Sequence, residues 1–188
     1  MTNPITLETK RLRLRQWKDS DLAGFSKMSA DPSVMKYFPA TLSENDSNAL
    51  AVKLKDIISL QSWGLWAVEI KESGEFIGFT GLNKPTCELP ITPCVEIGWR
   101  LATQYWGKGY ATEAAIAVLN FAFETLKLHE VYSFTSVINQ PSIAVMERLN
   151  MCNLKRNFQH PSVPRNHVLR EHVLYSITAH QWANKTGG

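Results

Sequence analysis

Two hydrophobic periods alternate along the chain. Leu12 and Leu14, continuing to Gln16 and Trp17, repeat every second residue and predict a first strand. Asp19 or Ser20 then caps a short helix carrying Leu22, Phe25 and Met28, which Asp31-Pro32 ends. Ser43, with Asp46 three residues on, opens a second helix whose Leu50, Leu54, Ile57 and Ile58 share one face. Segments 66–70 and 76–79 flank the turn Glu72-Ser73-Gly74-Glu75 and read as a hairpin. After a loop over 85–93, residues 94–101 alternate cleanly. Val95, Ile97, Trp99 and Leu101 fall on one side, and Cys94, Glu96, Gly98 and Arg100 on the other. Residues 111–127 read as a mostly buried helix with a polar stripe at Glu113, Asn120, Glu124 and Lys127. A strand over 131–138, a helix over 141–149 and a final strand over 168–177 follow, the last after a Pro/His-rich loop at 160–167.

This order predicts one mixed α/β (α+β) domain without repeats or linkers. The 188 residues suit a single domain, and a hydrophobic content of 44% supplies its core. No apolar run is long enough to span a bilayer, and residues 1–10 lack the pattern of a signal peptide, so a cytoplasmic protein with no membrane partner is expected. Cys87, Cys94 and Cys152 are an odd number without metal-ligand spacing, which predicts reduced thiols and no metal. The net charge is +3, and only Arg11-Leu12-Arg13-Leu14-Arg15 concentrates cations. Its alternation reads as a solvated strand face rather than a nucleic-acid arm, so no direct nucleic-acid partner is expected.

The segment from Gln104 to Thr112 joins a predicted strand to a long helix and contains Gly107 and Gly109. Exposed amides at such a helix start favour an anion, and glycines let phosphate oxygens approach them. A G-x-G pair also occurs in ordinary strand–helix turns, so the spacing alone leaves both readings open. It is neither a P-loop, because no Gly-Lys-Ser/Thr follows, nor a dinucleotide fingerprint, because the third glycine is missing.

Gln104-x-x-Gly107-x-Gly109 followed by Tyr110-Ala111-Thr112-Glu113-Ala114 resembles the acetyl-CoA signature of the GNAT N-acetyltransferase superfamily, in its RimJ/RimL-like branch. Further segments resemble that branch in the right order over residues 8–178. They are the opening strand at 9–17, Glu96-Ile97-Gly98-Trp99, the turn Asn139-Gln140-Pro141-Ser142, and Glu147-Arg148-Leu149-Asn150-Met151 with Asn in place of the usual Gly. The resemblance implies a single GNAT domain over 8–178 with terminal segments 1–7 and 179–188. Its sheet would be twisted and mostly antiparallel, of six to seven strands with one splayed pair, flanked by about four helices. It also implies a monomer or homodimer that passes an acetyl group from acetyl-CoA directly to a primary amine. A protein N-terminal α-amine is the acceptor the branch suggests; a small amine, or CoA binding without turnover, are the alternatives. Carried over, Gln104, Gly107, Lys108, Gly109, Tyr110, Ala111 and Thr112 hold the pyrophosphate. Trp99, Leu101, Asn139 and Ser142 line the pantetheine arm.

Direct transfer needs a deprotonated amine, a polarised carbonyl and a proton for the leaving thiolate. Glu96, opposite the Val95/Ile97/Trp99 row, is the candidate base, or else it merely pairs with Arg100 or solvent on the sheet surface. Ser142 is the candidate acid by resemblance, or the N-cap of the 141–149 helix; the roles can coexist. His160 is a further candidate base because imidazole titrates near neutrality, ahead of His167, His172 and His180. The chain departs from the branch over 156–172, where Phe158-Gln159-His160-Pro161 and a His-rich run replace acidic residues. Trp66 and Trp99 read as core, with Trp63 the better cleft candidate. Cys152 as nucleophile is superfluous, since direct transfer forms no acyl-enzyme.

Overall fold

The alternation at Leu12 and Leu14 is a strand in the computed structural model of the chain, which describes residues 3–186 and leaves Met1, Thr2, Gly187 and Gly188, the outermost parts of the terminal segments, outside the described residues. Five strands run antiparallel in sequence order: β1 (Leu7–Glu8), β2 (Leu12–Arg15), β3 (Leu65–Ile70), β4 (Phe76–Asn83) and β5 (Glu96–Leu101). β6 (Glu130–Ser136) joins β5 in parallel. The remaining strands, β7 (Cys152–Asn153), β8 (Phe158–Gln159) and β9 (Glu171–Thr178), form the far edge, where β9 lies between β6 and the short β7 and also pairs with β8. Among the described residues the sheet therefore has nine strands rather than six or seven. The surplus comes from β1, β7 and β8, two residues each, too short to imprint a period-two pattern.

Among the described residues five α-helices flank the sheet: α1 (Leu22–Ala30), α2 (Glu44–Gln61), α3 (Tyr110–Asn120), α4 (Gln140–Arg148) and α5 (Ala179–Thr186). Ser43 caps α2 by accepting from the Asp46 amide. The predicted helix over 111–127 divides: α3 ends at Asn120 and a π-helical turn occupies Phe121–Thr125, with the Leu126 amide reaching back to the Phe121 carbonyl. α5 lies in the expected C-terminal segment and is docked through Trp182, which is buried, donates to Asn120 and packs against Phe123.

The two faces of the sheet follow from strand pairing. Trp66 is opposite Thr80, Thr80 is opposite Trp99, and Trp66 meets Phe121 edge-on at 5.5 Å, so this face carries α3. Phe79 points to the other face and packs on Phe25 of α1, with Trp17 beside both rings. Trp17 itself does not extend β2. The strand stops at Arg15, Gln16 bonds to the Lys55 carbonyl and Ser59, and the Trp17 indole donates to the Leu65 carbonyl.

The arginine run is a solvated face only at Arg11 and Arg13, not at Arg15. Arg15 is buried with both terminal nitrogens on Asp21 (2.7 and 2.9 Å) and its Nε on Glu69 (2.7 Å). Arg13 reaches Glu8 and Glu69, and Arg11 reaches Glu113. Asp21, rather than Asp19 or Ser20, receives the Lys18 amide that starts the short 3-10 turn before α1. Removing one member of a buried pair strands the other charge. Asp21→Ala is thus expected to cost about 3 kcal/mol, roughly 10 °C in melting temperature, against under about 1 kcal/mol for the half-exposed Arg13→Ala; thermal unfolding checks both.

Candidate active site

β5 runs into a 3-10 turn at Thr103–Tyr105, after which Gly107 (φ 72°) and Gly109 (φ 79°) bend the backbone into α3. Side chains other than glycine rarely adopt this left-handed conformation. Nothing lies within 4 Å of the place a Cβ would occupy on Gly107, so the glycine leaves open space above the turn. Gly109 is the N-cap of α3 and offers no side chain, which leaves the first-turn amides uncapped and the helix dipole directed at that space. Glu113 in the same turn is ionised, and the Arg11 guanidinium paired with it offsets its charge. Burial pushes its carboxyl up, but bonds from Thr9 Oγ1 (2.6 Å), the Arg11 amide (2.9 Å) and the Arg11 guanidinium outweigh this and hold it below its ordinary value. A diphosphate of an acyl-CoA fits this turn, which combines uncapped amides, a missing side chain and room.

Beside the turn the sheet opens. β5 and β6 pair at Glu96 and Tyr132, where the Tyr132 amide donates to the Val95 carbonyl. One residue on, the Ser133 hydroxyl donates to the Ile97 carbonyl (3.1 Å), and no further backbone pair forms between these two strands. A cavity of about 810 Å³ fills the gap and reaches from Gly107, Gly109 and the start of α3 to Glu96.

Glu96 sits where the strands part, half-buried, with Asn83 Nδ2 donating to its Oε1 at 2.7 Å. Burial pushes its carboxyl up to about 7, with the Asn83 bond acting in the opposite direction. Arg100 is not its partner: no ion pair joins the two, and the Arg100 Nε and Nη1 have no hydrogen-bond partner. On the far wall, Asn139 caps α4 by accepting from the Ser142 amide, so Ser142 is not the cap. Asn139 Nδ2 donates to Thr135 (2.8 Å) and to the Ser142 Oγ (3.2 Å), which leaves the Ser142 O–H free to donate into the cavity.

His160 and His172 line the same cavity, 4.8 Å apart between ring centres and packed on Phe134 and Phe158. His160 Nδ1 accepts from the Ser162 amide, so its proton is on Nε2 and its basic lone pair is engaged. Burial, reinforced by the Arg170 charge, lowers the His160 pKa; burial takes His172 down to about 4. Both imidazoles are neutral at physiological pH.

The cavity wall thus brings together Glu96, Trp99, Leu101, Gly107, Gly109, Tyr110, Ala111, Thr112, Asn139, Ser142 and His160. Gln104 and Lys108 are exposed on the loop outside that wall, Lys108 lying over the Tyr105 ring. Trp63 is buried outside the cavity, beneath Lys84, so it is core; Trp99 and the exposed Trp106 are the cleft tryptophans. Cys152 lies on β7, away from the cavity. Asn83 and Phe134 had no sequence signal of their own, because only strand register sets them beside Glu96 and the splay. Among the described residues no group of His, Cys, Asp and Glu could hold a metal ion, and no helix is long and apolar enough to cross a membrane.

Comparison with known proteins agrees with this geometry. Residues 11–151 match the family model described as acetyltransferase (GNAT) domain. The chain is 34% identical over 184 residues to the FsC-acetyl coenzyme A-N(2)-transacetylase of Aspergillus fumigatus, covering 94% of this chain and 77% of that protein. A GNAT-family acetyltransferase from Bacillus anthracis superposes with a TM-score of 0.78 at 26% identity, covering 94% of this chain and 99% of the other. Mycobacterium smegmatis RimJ, solved with CoA-disulfide, shares the fold with a TM-score of 0.73 at 20% identity, covering 98% of this chain and 95% of the other. An uncapped helix start beside a splayed strand pair therefore goes with a match over most of the sequence, and the chain belongs to the GNAT acetyltransferase family as an acetyl-CoA-dependent N-acetyltransferase.

Proposed function

We propose that Glu96 and Ser142 carry the proton transfers of acetyl transfer and that the acceptor nitrogen is of the α-amino type. The observation that carries this reading is the Glu96 carboxyl, raised to about 7 inside the cavity that reaches the uncapped end of α3. A general base works best when its pKa lies near the working pH. The proposed α3 cradle holds acetyl-CoA by its diphosphate and lays the thioester into the splay. The acceptor amine, neutralised by loss of a proton toward Glu96, attacks the thioester carbonyl. The carbon–sulfur bond then breaks, the leaving thiolate takes a proton from the Ser142 hydroxyl, itself oriented by Asn139, and the attacking nitrogen gives up its second proton, which restores that hydroxyl, so that amide and CoA thiol form with the first proton on Glu96. His160 serves as a neutral wall, because its lone pair is occupied by the Ser162 amide.

An α-amino group, with a pKa near ~8, can lose its proton to a base near 7, whereas a lysine amine near ~10.4 stays charged. This favours an α-amine over a lysine side chain. The name of the Aspergillus fumigatus relative refers to transfer at an N(2) position, which supports a small-molecule acceptor. A protein N-terminus, as in the RimJ/RimL-like branch, is the second reading and is supported by the fold shared with RimJ. Acetyl-CoA supplied with a panel of small amines and N-terminal peptides, with acetylated products identified by mass, separates the two.

Three outcomes are expected. First, kcat/KM rises with pH through about 7, because the base works only when deprotonated, and Glu96→Gln loses this rise together with a factor on the order of 10²–10⁴ in rate. Second, the raised carboxyl costs folding stability. The unfolded carboxyl ionises near 4.5 while the folded one keeps its proton to about 7, so stability falls as pH climbs through that window and stays lower above it. Glu96→Gln should therefore gain up to about 3 kcal/mol over wild type at pH 8 and little at pH 4, as read by denaturant unfolding at the two values. Third, Gly109→Val strains the left-handed turn and should weaken acetyl-CoA binding by about tenfold or more in calorimetry.

A further inference from the structure

One face of β5 presents Glu96, Gly98 and Arg100 in succession, and all three line the cavity. Gly98 has nothing within 4 Å of the position a Cβ would take, so the floor between the carboxyl and the guanidinium is open. Arg100 is unlike the other arginines of the structure whose pairs are described above. Its Nε and Nη1 are buried and have no hydrogen-bond partner. Its guanidinium carbon lies 4.1 Å from the centre of the Phe38 ring and 5.1 Å from that of Phe79, held between two aromatic faces with no carboxylate against it. Arg11, Arg13 and Arg15, by contrast, each meet at least one carboxylate. Burial without a counter-charge pulls the Arg100 pKa down to about 10, the direction expected of a cation awaiting a partner.

Arg100 does not face the acyl-CoA cradle. Strand alternation puts it with Phe79 on the α1 face, whereas Trp99 shares the opposite face with Thr80, Trp66 and α3. The α1 face is completed by Tyr37 and Phe38 from the segment between α1 and α2, and across the splay by the rings of Phe134, His160 and His172. This half of the cavity holds one base, one unpaired guanidinium and a surround of neutral rings.

We propose that the acceptor is a small amine that also carries a carboxylate several bonds from its nitrogen, and that Arg100 is the residue that selects it. The inference rests on the acetyltransferase reading, since Glu96 is taken as the end that receives the amine. A planar guanidinium whose buried N–H groups lack partners can donate to the oxygens of a carboxylate. Arg100 is the one guanidinium on this face of β5 and balances one negative charge, which favours a carboxylate over a phosphate dianion. The two groups project from the same face of β5 with Gly98 between them on that face, which favours an acceptor whose amine and carboxylate are several bonds apart over an α-amino acid, whose two groups share one carbon. A dipeptide-sized molecule lying over Gly98 can reach both Glu96 and Arg100, and ring-bearing side chains on it would meet the aromatic walls.

The test uses the whole protein, acetyl-CoA, and pairs of dipeptides with an aromatic first residue, each made with a free C-terminal carboxylate and as the C-terminal amide. Thiol release gives turnover. Wild type is expected to prefer the carboxylate member by about tenfold or more in kcat/KM, mainly through KM. Arg100→Met is expected to bring that ratio to about one while leaving the amide member's kcat/KM and the melting-temperature gain from CoA unchanged. Arg100→Lys, which keeps the charge but loses the fork, should retain part of the preference and serves if the methionine variant does not fold. Independently of turnover, millimolar phenylacetate should raise the melting temperature of wild type and not that of Arg100→Met. Equal rates on both members in wild type, a preference that survives in Arg100→Met, or a CoA gain that disappears with Arg100 would each overturn the proposal. So would a protein that CoA stabilises but that neither turns over any of the dipeptides nor responds to phenylacetate. Absence of any stabilisation by CoA would instead overturn the acetyltransferase reading on which it stands.

Discussion

The architecture depends on one parallel strand pair that stops early. β5 and β6 share a backbone link at Glu96 and Tyr132, a hydroxyl from Ser133 stands in for the next one, and then the ladder ends. A sheet interrupted in its middle leaves backbone groups unpaired and an interior open, both costly unless a ligand uses them. The antiparallel pairs on either side, β4 with β5 and β6 with β9, run over six and seven residue pairs and keep the gap from closing. The same interruption lays the end of β5 against the Gly107–Gly109 turn, so one defect supplies both the cleft and its approach to α3.

Charge is handled in opposite ways on the two sides of this gap. Where the fold needs rigidity, ions are paired: Arg15 with Asp21 and Glu69, Arg11 with Glu113. Inside the cavity they are not. Glu96 has only an amide donor, Arg100 has aromatic faces, and His172 is held uncharged. A low-polarity surround strengthens any charge that arrives later, which is what acid–base chemistry on a bound amine requires.

Much of this was readable in the amino-acid sequence, for physical reasons particular to each element. The glycine pair marked the turn because only glycine takes two left-handed positions so close together, and the alternation over 94–101 correctly put Glu96 and Arg100 on one face. Asn139 and Ser142 were found by resemblance, although which of them caps α4 was settled only by backbone geometry. What stayed hidden depends on register. Asn83 meets Glu96 because of a cross-strand alignment set by the whole hairpin, and no local pattern encodes the lack of a partner at Arg100. The π-helical turn at Phe121–Thr125 was missed because apolar positions continue through it with helical spacing. Leu12 and Leu14 announced a strand, but the intervening arginines gave no sign that Arg15 would be buried rather than solvated; Asp21 and Glu69 decide that.

The place of β9 in the sheet has a consequence for how the chain is made. It follows β1–β8 in the chain, yet it is the one inserted between β6 and the pair β7 and β8. Until it arrives, β6 presents a bare seven-residue edge whose amides and carbonyls can recruit a stranger's strand. A chain in which β9 has not docked can hold β1–β6 together and still offer that edge, so the species most open to stray pairing is defined by one absent strand.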